Sequence, residues 1–159
     1  MLTVRVVTYK TRLTTEGRAV LEKEKCVNCP EVDRQMKSPN KIVQLGRSYL
    51  RLHEETEEYL YMICLNTKLV MTGVFEISHG SVNSSVAGTR EIMQKALLAN
   101  AVSIILMHNH PSGDCTPSRE DILVTERLME AGRIIGVDVL DHIILSAKSY
   151  CSLKERGDV

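Results

Sequence analysis

Residues 102–121 pass from an apolar segment into a polar loop and then into the start of a helix, with the sequence VSIILMHNHPSGDCTPSRED. The apolar run that ends at Met107 predicts a buried strand. His108 and His110 would point to different sides of a helix, but in an extended chain they point to the same side. Pro111 disfavours helical backbone at the residue before it, so we expect the extended form. The stretch therefore predicts two imidazoles side by side at the carboxyl end of a strand, a usual place for sites in open α/β sheets.

Two imidazoles on one side of the chain can bind the same borderline cation, such as zinc. Gly113 and Pro117 predict a turn that folds the chain back, so that Asp121 offers a carboxylate as the third ligand. Three protein ligands leave the fourth position of a tetrahedral zinc ion to water, which is typical of a catalytic site. We therefore predict a zinc site formed by His108, His110 and Asp121.

The same residues also have a structural explanation. Ser118-x-x-Asp121 matches a variant of the capping box, with the serine at the N-cap and an acid three residues later. The two histidines could be buried and hydrogen-bonded without any metal. A capping role and a metal-binding role for Asp121 are compatible, so the structural explanation does not exclude the zinc site.

The string His-x-His-Pro-Ser-Gly-x-x-x-Pro-Ser-x-x-Asp over residues 108–121 resembles the RadC-like branch of the JAMM metallopeptidase superfamily, also called MPN-plus or JAB. The similarity extends from about Ser38 to the C-terminus. It includes Gly80-Ser81-x-Asn83-x-Ser85, Arg90-Glu91 and Leu140-Asp141-His142. The resemblance implies a zinc-dependent hydrolase, a metalloprotease that acts on a peptide or isopeptide substrate with Zn²⁺ as its cofactor.

A hydrolase of this type needs a base that takes a proton from the attacking water and hands it to the leaving amine. Four glutamates lie just before a predicted strand: Glu54, Glu55, Glu57 and Glu58. The resemblance places Glu58 at the catalytic glutamate of the family, with Glu57 as the alternative. The other two are interpreted as solvated surface charges. The resemblance also implies that Ser118 donates a hydrogen bond to the developing oxyanion or to the bound water.

Strand-like and helix-like patterns alternate along the chain. Strands are predicted at residues 2–8, 58–65, 69–78, 102–107 and 137–145, and helices after Ser38-Pro39 and at 90–100 and 119–134. This alternation predicts an α/β fold with three layers, α/β/α. The resemblance implies a cytidine-deaminase-like (JAB/MPN) architecture with a mixed sheet. We expect an N-terminal extension at residues 1–37, a strand followed by a loop-rich or partly helical segment, ahead of a RadC-like JAMM/MPN domain at 38–159.

The composition is that of a soluble globular chain, with 43% hydrophobic and 25% charged residues. It lacks an apolar run long enough to span a membrane and an N-terminal signal segment, so we expect a cytoplasmic protein.

The net charge is zero, but Lys and Arg outnumber Asp and Glu by 11 to 5 in residues 1–53 and are outnumbered 9 to 15 in the remainder. This basic N-terminal part is compatible with nucleic-acid binding, but equally with pairing to the acidic remainder. The single phenylalanine and the absence of tryptophan disfavour a base-stacking surface.

Five cysteines, an odd number, argue against a disulfide framework. Cys26-Val-Asn-Cys29 is half of a zinc ribbon without a second half, so we predict that it is not a functional pair. Cys115 lies within the predicted metal loop. It is interpreted as a small loop residue, with an oxidation-sensitive thiol near the metal as the alternative.

A zinc deaminase and a non-catalytic metal-binding protein are the two alternatives to a zinc hydrolase. A zinc deaminase requires a combined His-x-Glu and Pro-Cys-x-x-Cys signature, and the complete signature is absent. The second alternative is a non-catalytic accessory protein of DNA repair or mobile elements that retains the metal site. Longer members of the RadC-like family carry a helix–hairpin–helix region, and residues 1–37 lack its glycine-turn pattern. The intact ligand set therefore favours the enzyme.

Overall fold

The computed structural model describes residues 4–29, 34–80 and 88–159. The strands are β1 (Val4–Leu13), β2 (Ala19–Cys29), β3 (Tyr59–Leu65), β4 (Met71–His79), β5 (Ser103–Asn109), β6 (Asp138–Leu145) and β7 (Tyr150–Ser152). The helices are α1 (Pro39–Ser48), α2 (Thr89–Leu98), α3 (Arg119–Ile135) and α4 (Leu153–Arg156), with a 3-10 turn at Leu52–Glu54. None of the helices in this part of the chain is both long and apolar enough to cross a membrane. The Ser81-x-Asn83-x-Ser85 string lies outside the described residues.

Within residues 4–29, 34–80 and 88–159, seven strands form a mixed sheet in the order β2-β1-β4-β3-β5-β6-β7. Neighbouring strands are antiparallel except for the pairs β1/β4 and β5/β6, which are parallel. The chain therefore has the predicted α/β fold with a mixed sheet, and the strands predicted at residues 58–65 and 69–78 form the antiparallel pair β3/β4. Strand β5 lies between β3 and β6, and all seven of its residues are buried.

The side chains of β5 alternate between two hydrophobic clusters. Ile105 and Met107 belong to a cluster that includes residues of α1, whereas Ile104 and Leu106 belong to a cluster that includes residues of α2 and α3. Neighbouring residues in a strand point to opposite faces of the sheet. His108 continues the second series, so it points toward the face on which α3 packs.

Helix α3 has a defined start and a defined end. Ser118 and Asp121 form a capping box in which each side chain accepts a hydrogen bond from the other residue's backbone N–H. Gly136 ends the helix in the left-handed conformation, with φ 83°. A Cβ atom on Gly132 would lie 2.2 Å from the carbonyl oxygen of Val137, so only glycine lets the helix pass this close to the chain that enters β6. These contacts hold the first turn of α3 beside the end of β5.

The prediction of a loop-rich or partly helical segment at residues 9–37 is wrong for most of the described residues. Strands β1 and β2 form a long antiparallel hairpin from Val4↔Cys29 to Leu13↔Ala19, and β1 joins the sheet by pairing with β4 at Thr8↔Val74. β2 is an edge strand and most of its residues are exposed, so it lacks the hydrophobic alternation that marks a half-buried strand. The strand nevertheless forms because its backbone pairs with β1.

The short elements at the C-terminus were not predicted. Strand β7 has three residues and α4 has four, which is too short for a periodic pattern. The Asp141 carboxylate joins them to β6: it accepts hydrogen bonds from Ser152 Oγ at 2.7 Å and from the backbone N–H of Lys154 at 3.2 Å. Asp141 therefore has a structural role that links β6, β7 and α4.

Candidate metal centre

The three predicted metal ligands lie together where β5 meets α3. His108 Nε2 lies 2.9 Å from His110 Nε2 and 3.4 Å from Asp121 Oδ1, and His110 Nε2 lies 3.6 Å from Asp121 Oδ2. His108 is buried, and the other two side chains are half-buried. The offered ligand atoms all lie within 4.8 Å of one another, which is a separation that a single metal ion can bridge.

The loop after β5 fixes the orientation of the His110 ring. Its Nδ1–H donates a hydrogen bond of 2.7 Å to the carbonyl oxygen of Asp114. Gly113 makes the turn that allows this contact, with φ 89°. A neutral imidazole with its proton on Nδ1 has a lone pair on Nε2. In this neutral form His110 presents a nitrogen lone pair to His108 and Asp121, as a metal ligand must, while the hydrogen bond with Asp121 raises the pKa of the ring.

Asp121 combines the capping role and the predicted ligand role. Its Oδ2 accepts hydrogen bonds of 2.7 Å from both the backbone N–H and the hydroxyl of Ser118. Its Oδ1 faces His108. The capping explanation is confirmed, and the same contacts point the carboxylate toward the histidines. The Ser118 hydroxyl is engaged with Asp121 here, and its catalytic role stays a prediction.

The charges at this site suit a divalent cation. Burial acts to raise the pKa of Asp121, but the neighbouring His110, His108 and Ser118 lower it on balance, so the carboxylate is ionised at neutral pH. Burial lowers the pKa of His108 to about 4, which leaves its ring neutral. Two imidazoles and one carboxylate form a donor set that zinc accepts, and ligands of this kind bind metal in the neutral imidazole and ionised carboxylate forms. The residues present therefore fit a zinc ion.

Glu58 lies immediately before β3 and close to the same site. Leu60 pairs with His108 in the antiparallel register of β3 and β5, so two residues further along the register Glu58 lies opposite His110. Burial raises the pKa of Glu58, and the charges of His110 and Asp121 also act on it in opposite directions. Glu58 is half-buried, whereas Glu57 is exposed. The structure thus brings Glu58, rather than its neighbour, to the predicted ligands.

Asn109 holds the backbone around Glu58 in place. Its side-chain oxygen accepts a hydrogen bond of 2.8 Å from the N–H of Tyr59, and its NH₂ group donates one of 2.9 Å to the carbonyl oxygen of Glu57. The carbonyl oxygen of Glu58 accepts a further bond from Gly80 N–H at 3.0 Å. This buried amide therefore extends the pairing of β3 and β5 past the end of the ladder and fixes the position of Glu58.

Two further residues contact the predicted ligands behind the site. His142 Nε2 lies 2.7 Å from His108 Nδ1, and His142 Nδ1 lies 2.6 Å from Thr125 Oγ1. His142 belongs to the Leu140-Asp141-His142 string that resembles the family, and of its two polar residues it is His142 that contacts a predicted ligand. Thr125 was not predicted. Its position four residues after Asp121, on the same face of α3, is the signal that could have identified it.

All five cysteines are free. Cys115 Sγ lies 3.3 Å from Ser149 Oγ, and among the described residues Cys115 is not part of the group that could hold a metal ion. Cys26 is exposed and Cys29 is buried. The two are three positions apart in β2, so their side chains point to opposite faces of the sheet.

Replacing both Cys26 and Cys29 with serine is expected to leave the zinc content of the purified protein unchanged. Side chains on opposite faces of a strand are too badly placed to share one ion. Elemental analysis of the double variant and of the unaltered protein makes the comparison. A second equivalent of zinc that disappears in the double variant would contradict this expectation.

The metal-free protein is expected to lose stability as the pH falls below about 6.5, the ordinary histidine pKa. Burial lowers the pKa of both His108 and His142, so at these two residues the unfolded chain binds protons that the folded chain does not. The hydrogen bond with Asp121 raises the pKa of His110, which offsets part of this difference. The contribution of His108 and His142 to stability is complete above the pKa of histidine in the unfolded chain. It is lost as the pH falls toward the lower pKa of the same residue in the folded chain. Each histidine that stays neutral contributes a slope of about 1.4 kcal/mol per pH unit to the free energy of unfolding.

Urea unfolding with a chelator present, between pH 7 and pH 5, measures this slope. His108→Asn should reduce it, because it removes one of the two buried histidines that stay neutral. An equal slope in the His108 variant and the unaltered protein would show that His108 is not held neutral.

Comparison with known proteins identifies the family. A family model described as the RadC-like JAB domain matches residues 36–158. The chain therefore belongs to the RadC-like JAB domain family, which confirms the resemblance seen in the sequence.

Similar proteins occur in archaea and bacteria. The chain is 43% identical over 129 residues to the UPF0758 protein of Methanosarcina barkeri, an alignment that covers 81% of this chain and 56% of the relative. It is 49% identical over 106 residues to the UPF0758 protein of Clostridium beijerinckii, covering 67% of this chain and 46% of the relative. The chain thus spans about half the length of the curated relatives it matches, and their names state no activity.

Proposed function

We propose that this chain is a zinc-dependent hydrolase that cleaves an amide bond in a peptide or isopeptide substrate. The observation that carries the proposal is the convergence of His108, His110 and Asp121, with Glu58 brought beside them by the register of β3. We also propose the three-layer, cytidine-deaminase-like arrangement for the domain. Its support is the division of the core into one cluster with α1 and another with α2 and α3.

Each residue of the site has a separate task in this mechanism. His108, His110 and Asp121 would hold the zinc ion. Zinc, when bound, supplies Lewis acidity that lowers the pKa of water and polarises a carbonyl oxygen. The Glu58 carboxylate accepts the proton of the attacking water and then passes it to the leaving amine. Burial raises the pKa of Glu58, which suits a group that must both take up and release a proton.

Ser118→Ala tests whether the serine does more than cap α3. Loss of the cap alone should cost about 1 kcal/mol of stability. Loss of an oxyanion donor should in addition lower turnover by roughly 10²–10³. Ser152→Ala is the matched control, because Ser152 caps α4 away from the site. Thermal unfolding and turnover should be measured for both, and a Ser118 variant that is destabilised but fully active would leave only the capping role.

The proposed function is tested with the full chain after removal of metal and reconstitution with zinc. Quenched fluorescent peptides and peptides joined through a lysine side chain serve as the two substrate panels. We expect cleavage that is lost with a chelator and restored by zinc. Zinc-loaded Glu58→Gln controls for contaminating proteases. Stoichiometric zinc without cleavage in either panel would instead favour the non-catalytic accessory protein.

A further inference from the structure

A buried chain of hydrogen bonds runs from α3 to the back of His108. Thr125 Oγ1 lies 2.6 Å from the carbonyl oxygen of Asp121 and 2.6 Å from His142 Nδ1. His142 Nε2 lies 2.7 Å from His108 Nδ1. The side chains of Thr125, His142 and His108 are all buried, so water does not compete for these bonds. The proposed hydrolytic mechanism does not use Thr125 or His142.

The position of each proton in this hydrogen-bond chain follows from the bond between Thr125 and the Asp121 carbonyl oxygen. The carbonyl oxygen of Asp121 can only accept, and two oxygens approach to 2.6 Å only when a proton lies between them. The single hydroxyl proton of Thr125 is therefore donated to that carbonyl. Thr125 Oγ1 must then accept from His142, whose proton lies on Nδ1.

The hydrogen bond between His142 and His108 then fixes the proton position on the metal ligand His108. A neutral His142 with its proton on Nδ1 has a lone pair on Nε2, which accepts the proton on His108 Nδ1. His108 Nε2 is then unprotonated, and it faces His110 and Asp121. Thr125 thus determines which ring nitrogen of His108 carries the proton, although the two side chains are joined only through His142.

If these hydrogen bonds were donated in the opposite direction, the metal site would have different protons. If His142 carried its proton on Nε2, it would donate to His108 Nδ1 and move the His108 proton to Nε2. That proton would be donated to His110 Nε2, 2.9 Å away, because the orientation of the His110 ring leaves a lone pair there. Two histidines bonded in this way must break their hydrogen bond and lose a proton before they bind a cation. The Thr125 hydroxyl therefore favours the form of the site that binds metal without first losing the His108 proton.

We infer that Thr125 and His142 are positioning residues that hold His108 in the tautomer with its Nε2 lone pair free for a metal ion. The inference rests on the proposed zinc site. It concerns how that site is prepared for the ion and does not depend on whether the protein hydrolyses a particular substrate. Hydrogen bonds to the second ring nitrogen of a ligand histidine typically change metal affinity by roughly 10- to 100-fold.

The test is the zinc affinity of Thr125→Val and Thr125→Ser, measured by competition with a chromophoric chelator. Valine has the shape of threonine without the hydroxyl, so affinity should fall about 10- to 100-fold. Serine keeps the hydroxyl and should retain affinity within a few-fold of the unaltered protein. Thr8→Val removes another buried hydroxyl, on β1 far along the sheet, and should leave affinity unchanged. Equal affinity in Thr125→Val and the unaltered protein would overturn the inference.

A second measurement needs no variant. Nitrogen-15 NMR of the imidazoles in the zinc-loaded protein should show His142 protonated on Nδ1 and unprotonated on Nε2. Protonation of His142 on Nε2 would overturn the inference even if Thr125→Val failed to fold. Hydrolysis plays no part in either measurement, so zinc affinity that depends on Thr125 in an inactive protein would refute the proposed function and leave this inference standing.

Discussion

His110→Ala is expected to abolish stoichiometric zinc binding. The unaltered protein should carry one zinc ion per chain, held by His108, His110 and Asp121 at roughly 2.0–2.2 Å, with water at the fourth position. Removing one of three protein ligands leaves an imidazole and a carboxylate, which is too few to retain the ion. Elemental analysis after gel filtration measures the loss directly.

A matched control and an independent measurement strengthen this test. His79→Ala removes an exposed histidine that pairs with Glu76 and should leave one zinc ion per chain. Zinc should also raise the stability of the unaltered protein, by about 4 kcal/mol at a thousandfold excess over Kd, and His110→Ala should lose this gain. If the variant still carried one tightly bound zinc ion, the assignment of His110 would be wrong.

The parts of the fold that the sequence predicted correctly are those where local signals agree. The apolar run of β5, the turn at Gly113 and the capping residues of α3 follow one another within a short stretch, so strand, loop and helix could each be placed. Strand β2 could not be placed, because an edge strand exposed on both faces has polar side chains and is held by backbone pairing. Backbone pairing of this kind leaves little trace in the side-chain pattern of a single sequence.

The same distinction separates the residues of the site. His108, His110 and Asp121 are close in sequence, and their spacing alone suggested that they converge. The side that Glu58 faces depends on the register of β3 against β5. The choice of Glu58 over Glu57 therefore came from the family resemblance and not from the composition of this segment. The contact of His142 with His108 joins residues 34 positions apart, so only the pairing of β5 and β6 brings them together.

Glu58→Gln is expected to keep the fold and the zinc ion but to lower turnover by roughly 10²–10⁴, the usual range for loss of a general acid–base. Glutamine preserves the shape of the side chain and does not take up a proton near neutral pH. Zinc content, thermal unfolding and turnover on a peptide that the unaltered protein cleaves should be measured on the same preparation. A variant that lost zinc together with activity would indicate that Glu58 is a ligand rather than the base.

Glu57→Gln is the matched control, because it makes the same chemical change one residue earlier. Glu57 is exposed, and neighbouring residues of an extended chain point to opposite sides, so turnover should be almost unchanged. Asn109 donates a hydrogen bond to the Glu57 carbonyl oxygen and accepts one from the Tyr59 N–H. Because these bonds fix the backbone on both sides of Glu58, only one of the two glutamates can face the ligands. If Glu57→Gln were the inactive variant, the register of this strand would be off by one residue. A large loss in Glu58→Gln alone therefore tests both the identity of the base and the pairing of β3 with β5.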